Sequence, residues 1–473
     1  FYYAEKDQKP EQGPSENLYD YFKVYDGVPA LSAQTYSVYL KGNSYSSDVE
    51  VNVGFDSGEN LGIPKVSYVG GDDAKTVVIR TAGDMCEFTV NAPKDDVYHY
   101  GYANTSNVVA VANTSYHEHG TSHSLNVTSG NVVIEETGVV FTLATTEGAT
   151  ATVSNNGGNV MESSVASVAG SGSFEIGSLA QLEAFRDASN SGETFEGKTI
   201  NLNKDVALTR AWKPISNYYR GSNTKEYWFK GTFDGKNHTI SGLTNVGLTK
   251  SEINSGRNTT TISKDDEFTY GLFASVNDAV IKNIKLTGVN IGNITGLVPD
   301  GVGSLVGFYR DCTEKKSGNV TTANIENVSV SGKIVGSDNV GGVWGRATGT
   351  YLKVVNVTVA SGSVVTADYK ASGVGQSLAT TSDYDTVANH ASVSSVIKDS
   401  NQGYNTVAGL SVAWGAEKNK KIILSNCSSD GTLSTVNDNS IKSKLFADYA
   451  QKKAIEENGT WEFSNESWSK AQA

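Results

Sequence analysis

At 473 residues the chain is long enough for two or three ordinary domains, or for one or two elongated repeat domains that grow by stacking. A net charge of -13 with no Lys/Arg stripe argues against nucleic acid and against an anionic membrane surface as partners. No stretch approaches the roughly 18 to 20 consecutive apolar residues of a membrane helix, so no membrane insertion is expected.

With 49 Gly, only 7 Pro and only 2 Met, in a text rich in Val, Ser, Thr and Asn, the composition favours β-structure with polar turns. Hydrophobic residues at 38% and charged ones at 19% supply a core, but a thin one, as a long stack of repeats has. The chain starts with Phe1 rather than Met, which reads as a processed or trimmed polypeptide whose export signal is gone. Cys86, Cys312 and Cys427 are too few and too scattered for a disulfide framework.

Residues 1–30 mix charge, Pro10 and Pro14 with tyrosines and read as an N-terminal arm or linker. From 31 to 165 come short β-runs such as TVVIRTAG, CEFTVNAP, HSLNVTSG and NVVIEETG, each closed by a Gly, Asn or Asp turn. Short even runs with no helix between them suggest a chain winding through successive coils, a first β-solenoid. The small-residue stretch MESSVASVAGSGS at 161–173 marks a boundary. Beyond it, Ser178 followed by LAQLEAFRDASN has helical spacing behind an N-cap, and it is expected to cover the open end of a second solenoid over 166–435.

That second region carries a visible repeat in five copies. They are YGLFASVNDAVIKNIKLTGVNI from Tyr270, VGSLVGFYRD with IENVSVSGKIVG, VGGVWGRATGTYLKVVNVTVASG from Val340, SGVGQSLATT with ASVSSVI, and VAGLSVAWGAEKNKKIILSNCSSDG from Val407. The period is on the order of 30 to 35 residues. Each copy pairs a G-x-hydrophobic-x-G strand with an alternating one, so that glycines let rungs approach and Val, Ile and Leu fill the interior. From 436 to 473 the pattern stops, and IKSKLFADYAQKKAIEENG is expected to form a short amphipathic helix in a C-terminal cap.

The repeat resembles the GLUG motif of bacterial surface proteins, with Gly271, Leu272 and Phe273 followed by IKNIKL its nearest copy and FKGTFDGKNHTISGL a similar lead-in. The resemblance covers roughly residues 174–435 and implies a right-handed parallel β-helix at the bacterial cell surface, as in adhesin-like exoproteins.

Few constellations carry chemistry. The doublets Asp72/Asp73, Asp95/Asp96 and Asp265/Asp266 sit at turns and lack the converging carboxylates and basic residue of a polysaccharide-cleaving β-helix. His99, in HYG, precedes His117 and His119, in HEHG, by about one coil. Stacked coils would place them on neighbouring rungs as a structural ladder, with metal binding the weaker reading, since HEHG is not HExxH. No cofactor is expected. Cys312 and Cys427 fall about three rungs apart, near 14 Å at roughly 4.8 Å per rung, beyond the ~7 Å a disulfide spans. The segment WKPISNYYRGSNTKEYW at 212–228 reads as an inserted loop. Trp212 and Trp228 are expected to close the gap behind the first rung, and Tyr218, Tyr219, Arg220 and Tyr227 to form the ligand-contacting tip.

The fold class these observations define is all-β, two tandem solenoid units with short capping helices. The expected function is a secreted or cell-surface adhesive protein whose partner is a glycan, a host surface protein or another copy of itself. The alternatives are a carbohydrate-active β-helix enzyme and a self-assembling filament or surface-layer subunit.

Overall fold

The computed structural model describes the backbone of Tyr2–Glu5, Tyr36–Lys41 and Val49–Val53 and most of the chain from Lys65 onward. Within that stretch, residues 82–86, 112–113, 217–227, 249–267, 293–298, 397–404, 414–419, 437–439, 465 and 472–473 lie outside the description. Strand is the dominant structure of the described residues, with one α-helix among them, and most strand pairs are parallel. No helix among them is long and apolar enough to cross a membrane. Two compact units emerge, one holding Phe1–Glu175 with Ala180–Glu193, the other Ile176–Leu179 and most of the chain from Thr194 to Ala473.

In the first unit an 11-stranded sheet is built from two ladders that share their longest strands. In one ladder Phe88 pairs with Ser106, Ser106 with Leu125 and Leu125 with Leu143. In the other Val77 pairs with Val97, Val97 with Tyr116 and Tyr116 with Val132. These residues are all buried, because a side-chain period of two sends every second residue inward and parallel register stacks like on like. The strands Asp96–Ala110 and Thr121–Ile134 each serve both ladders by bending at a glycine, Gly101 with φ 87° and Gly130 with φ 89°. A Cβ on Gly101 would meet the Thr81 carbonyl oxygen at 1.8 Å, so both the left-handed backbone and the close approach require glycine.

The helix Leu179–Asn190 buries Leu182, Phe185 and Ala188. Expected as the lid of the second unit, it belongs by its contacts to the first. Phe185 packs on Phe174 at 5.5 Å, and Glu193, just beyond the helix, accepts hydrogen bonds from the Tyr102 hydroxyl (3.0 Å) and His123 Nδ1 (2.8 Å).

In the second unit the five repeat copies stack in register. The alternating strands form a 16-stranded sheet in which Ile281, Ile325, Val354, Tyr384 and Leu424 make one buried column. The G-x-hydrophobic strands bond rung to rung: Leu272 N–H to Ser304 O, Leu305 N–H to Val343 O, Val343 N–H to Val374 O and Val374 N–H to Leu410 O. One corner of the stack adopts left-handed backbone at Asn283, Asn327, Asn356, Thr386 and Asn426. There Asn283 Nδ2 donates to Asp234, Asn327 Nδ2 to the Asn283 amide oxygen (2.8 Å) and Asn356 Nδ2 to that of Asn327 (2.7 Å). Asparagine suits both demands, because it tolerates positive φ and carries a donor and an acceptor to pass along the stack.

The amphipathic helix expected after 436 is not present. Ile441–Ser443, Phe446–Asp448 and Lys453–Ile455 are strands, with Phe446 and Ala447 fully buried. The last rung of a parallel stack leaves a row of unpaired backbone groups, and ladder bonds to it outweigh a weak helical pattern. Phe446–Asp448 pairs in parallel with Ser411–Ala413 and antiparallel with Lys453–Ile455, while Gly459–Ser464 runs antiparallel to Lys421–Ser425. Cys312 and Cys427 are buried free thiols; burial pushes the Cys427 thiol up to about 11. Cys86 lies outside the described residues.

Candidate functional site

The histidines flagged by spacing lie on the second ladder of the first unit, but not as a stack of imidazoles. Tyr98 pairs with His117 and His99 with Glu118, so His99 faces inward while His117 and His119 face outward. Histidines expected on neighbouring rungs of one column are thus divided between the two faces of the sheet.

Inside, His99 is fully buried. Its Nδ1 meets Glu118 Oε1 at 2.8 Å and its Nε2 meets Thr81 Oγ1 at 2.7 Å, and Phe88 stacks on the ring at 4.8 Å. Glu118, also fully buried, accepts further hydrogen bonds from Gly120 N–H (2.9 Å), the Tyr116 hydroxyl (2.9 Å) and the Ser122 hydroxyl (2.6 Å). Burial alone would raise its carboxyl, but the neighbouring His99 and the hydrogen bonds from His99, Ser122 and Tyr116 hold it below the usual range. The order hydroxyl, imidazole, carboxylate is that of an activated nucleophile. Here, however, Thr81, His99 and Glu118 are all sealed from solvent, and the Thr81 hydroxyl also lies 2.7 Å from the Tyr102 carbonyl oxygen. The trio is a tie between rungs, with no room for a reacting molecule.

Outside, the rings stack between rungs: Tyr98 on His117 at 4.3 Å and 3°, Tyr100 on His119 at 4.6 Å and 9°. The exposed Arg80 places its guanidinium 4.4 Å from the Tyr100 ring. His117 Nδ1 meets Glu135 Oε1 at 2.7 Å, and Asn156 Nδ2 donates to Glu135 Oε2 at 2.7 Å. Burial works to raise Glu135, and these two hydrogen bonds outweigh it, leaving the carboxyl low. Burial pushes His119 below the ordinary histidine value of 6.5. Because ring faces are spent on one another, the face offers partners ring edges, imidazole nitrogens, hydroxyls and the Arg80 cation. Among the described residues, no group of three or more His, Cys, Asp or Glu is arranged to hold a metal ion.

The remaining candidates divide. Asp95 is buried, accepting from the Tyr68 hydroxyl (2.5 Å) and Lys75 N–H (2.9 Å), and Asp96 accepts from Ser115 N–H (2.9 Å). Both fasten turns. Asp72 and Asp73 are exposed, and Asp265 and Asp266 lie outside the described residues. Trp212 is buried, donating Nε1–H to Leu272 O, while its own carbonyl accepts the Tyr270 hydroxyl. Trp228 lies half-buried under the Arg310 guanidinium at 4.2 Å. Tyr218, Tyr219, Arg220 and Tyr227 lie outside the described residues. Sequence reasoning missed Thr81, Glu118, Glu135, Tyr98 and Tyr100. The signal was present, since Glu118 follows His99 by 19 residues and Glu135 follows His117 by 18, one rung each.

These features define an all-β protein of stacked parallel ladders with a polar tie inside and an aromatic, histidine-bearing face outside. No family model matches the chain. Among curated proteins it is 24% identical over 177 residues to Halomucin of Haloquadratum walsbyi, a match covering 36% of this chain and 2% of that protein. The chain therefore spans about 2% of the length of the relative it matches. A crystal structure from Bacteroides ovatus, provisionally described as an immunoglobulin A1 protease, is similar at a TM-score of 0.36 and 14% identity, over 59% of this chain and 85% of the other.

Proposed function

We propose that the chain is a secreted or cell-surface binding protein in which both units are β-solenoids, the second a right-handed parallel β-helix of the GLUG-like kind. Its partner is a glycan, a host surface protein or a second copy of the chain, held by many modest contacts on rigid faces. The observation that carries the reading is the division of polar groups in the first unit. The trio with catalytic order is sealed inside, while Arg80, Tyr98, Tyr100, His117, His119 and Glu135 are fixed in register on the outer face. The partial likeness to Halomucin supports a surface protein.

Two patches are proposed as contact sites, the outer face at Tyr100 and His119 and the aromatic segment at Tyr218, Tyr219, Arg220 and Tyr227. Glycan and host-protein arrays test both. Wild type should bind, and Tyr100→Ala/His119→Ala or Tyr218→Ala/Tyr219→Ala should abolish binding with melting nearly unchanged. Retained binding in both double variants would remove these patches from the interface. Filaments in negative stain without array binding would make self-association the function.

A further inference from the structure

Lysine is seldom buried, and when it is a partner holds its nitrogen. Among the described residues Lys75, Lys370 and Lys420 are buried. Lys420 Nζ donates to the Ser377 carbonyl at 3.1 Å. Lys370, 5% exposed, instead places Nζ 2.5 Å from Asp338 Oδ1. Register brings them together, because Lys370 pairs with Asn339 on the adjacent rung and Asp338 is the residue before. The surroundings fix the pair: Gln376 Nε2 donates to the Lys370 carbonyl at 3.0 Å, and the Tyr449 ring centroid lies 5.3 Å from Nζ. A second carboxyl stands at the same corner. Asp368, two residues before Lys370, is anchored by its N–H to Ser337 O at 2.8 Å.

We propose that Lys370 and Asp338 are joined by an intramolecular isopeptide bond that forms after folding. The Lys370 amine attacks Asp338 Cγ, a Cγ–Nζ bond forms, one Cγ–Oδ bond breaks, and the oxygen leaves as water. An amine and a carboxylic acid become a secondary amide plus one water, with no oxidant, reductant or external co-reactant. The protons move from nitrogen to the departing oxygen, and Asp368, the second carboxyl at this corner, is the relay proposed. Its carboxyl is raised by burial and by the nearby Asp338 charge, against a lowering hydrogen bond from Ser337. A plain ion pair between the buried Lys370 and the partly exposed Asp338 uses the same contacts without the chemistry. The bond would cross-link two adjacent rungs of the second unit, a role separate from any ligand the protein holds.

Intact-mass measurement of the purified, denatured full chain tests this directly. The expected wild-type mass is lower than the sequence mass by one water, and trypsin should leave a branched peptide joining the Lys370 and Asp338 segments. Lys370→Arg and Asp338→Ala should each restore the full sequence mass of their variants, and Asp368→Asn should leave most molecules unlinked. A wild-type chain at full mass, or a mass loss that fragmentation places elsewhere, overturns the proposal without requiring any variant to fold. An Asp368→Asn chain that closes as completely as wild type removes Asp368 from the step.

Discussion

The two units stack parallel rungs by the same rule but put their polar order in opposite places. In the first, an inward column runs Ile79, His99, Glu118, Ile134, so an ionisable pair interrupts an otherwise aliphatic column. In the second, the column Ile284, Val328, Val357, Val387 is aliphatic throughout, and the polar order moves to the corner as repeated asparagine links. A polar tie in a core is all-or-none, since removing one member strands the others in low dielectric. A corner ladder is divisible, because each link is one partly solvated hydrogen bond.

The largest effect should therefore come from breaking the core tie. Glu118→Ala leaves His99, Tyr116, Ser122 and the Gly120 N–H without their acceptor, and a broken buried pair costs about 3–5 kcal/mol. His117→Gln, on the outer face where the pair with Glu135 is only partly buried, should cost less, about 1–2 kcal/mol for one hydrogen bond to a carboxylate. Denaturant unfolding with hydrogen exchange at the Gly120 amide measures both, and equal costs for the two would erase the distinction between inner and outer histidines.

This distinction was not legible in the sequence. The strand runs, the turns and the five copies were, because alternation and repetition are periodic signals that survive without tertiary information. Which face a residue takes depends on the rung offset, and an offset of 19 sets His99 against Glu118 where 18 would have set it against His117. The C-terminal segment fails for a related reason: its helical pattern is short, and the partner strands that claim it lie far away in sequence, at Ser411–Ala413 and Lys421–Ser425. The helix Leu179–Asn190 was legible as an element but not in its allegiance, which rests on contacts such as Phe174 with Phe185.

In the second unit, Asn327→Gly keeps the left-handed backbone at φ 52° while removing the donor to Asn283 and the acceptor of Asn356, so the expected cost is about 1–2 kcal/mol at roughly 1 kcal/mol per hydrogen bond. A loss as large as that of Glu118→Ala would show the corner to be as cooperative as the core. Spectroscopic melting of the two variants side by side decides.

Acid should act on the first unit in two steps. His119 titrates lower in the fold than its ordinary 6.5, so the unfolded chain takes up its proton first and stability falls as pH drops below about 6.5. Glu118 and Glu135 are held below their ordinary 4.5, so their contribution is present above that value and is lost as pH falls beneath it. A first loss below neutrality, absent in His119→Asn, and a second below about 4.5 are expected in melting curves recorded against pH. A His119→Asn chain with an unchanged first step would assign that step to another group.

The smallest effect, and the only stabilising one, concerns the corner position where the ladder changes residue. Thr386 holds φ at 55° between Asn356 at 52° and Asn426 at 54°, and its hydroxyl bonds to its neighbour Asp385 at 3.0 Å rather than along the stack. A β-branched residue in left-handed backbone carries a strain of roughly 1–2 kcal/mol that asparagine largely avoids. Thr386→Asn relieves that strain and supplies an amide level with those of Asn356 and Asn426, extending the links one rung further. The expected gain is about 1 kcal/mol after the lost Asp385 bond is counted. An increased denaturation midpoint with an unchanged slope would show it, and a lower midpoint would mean that the bond between Thr386 and Asp385 outweighs the corner ladder at this rung.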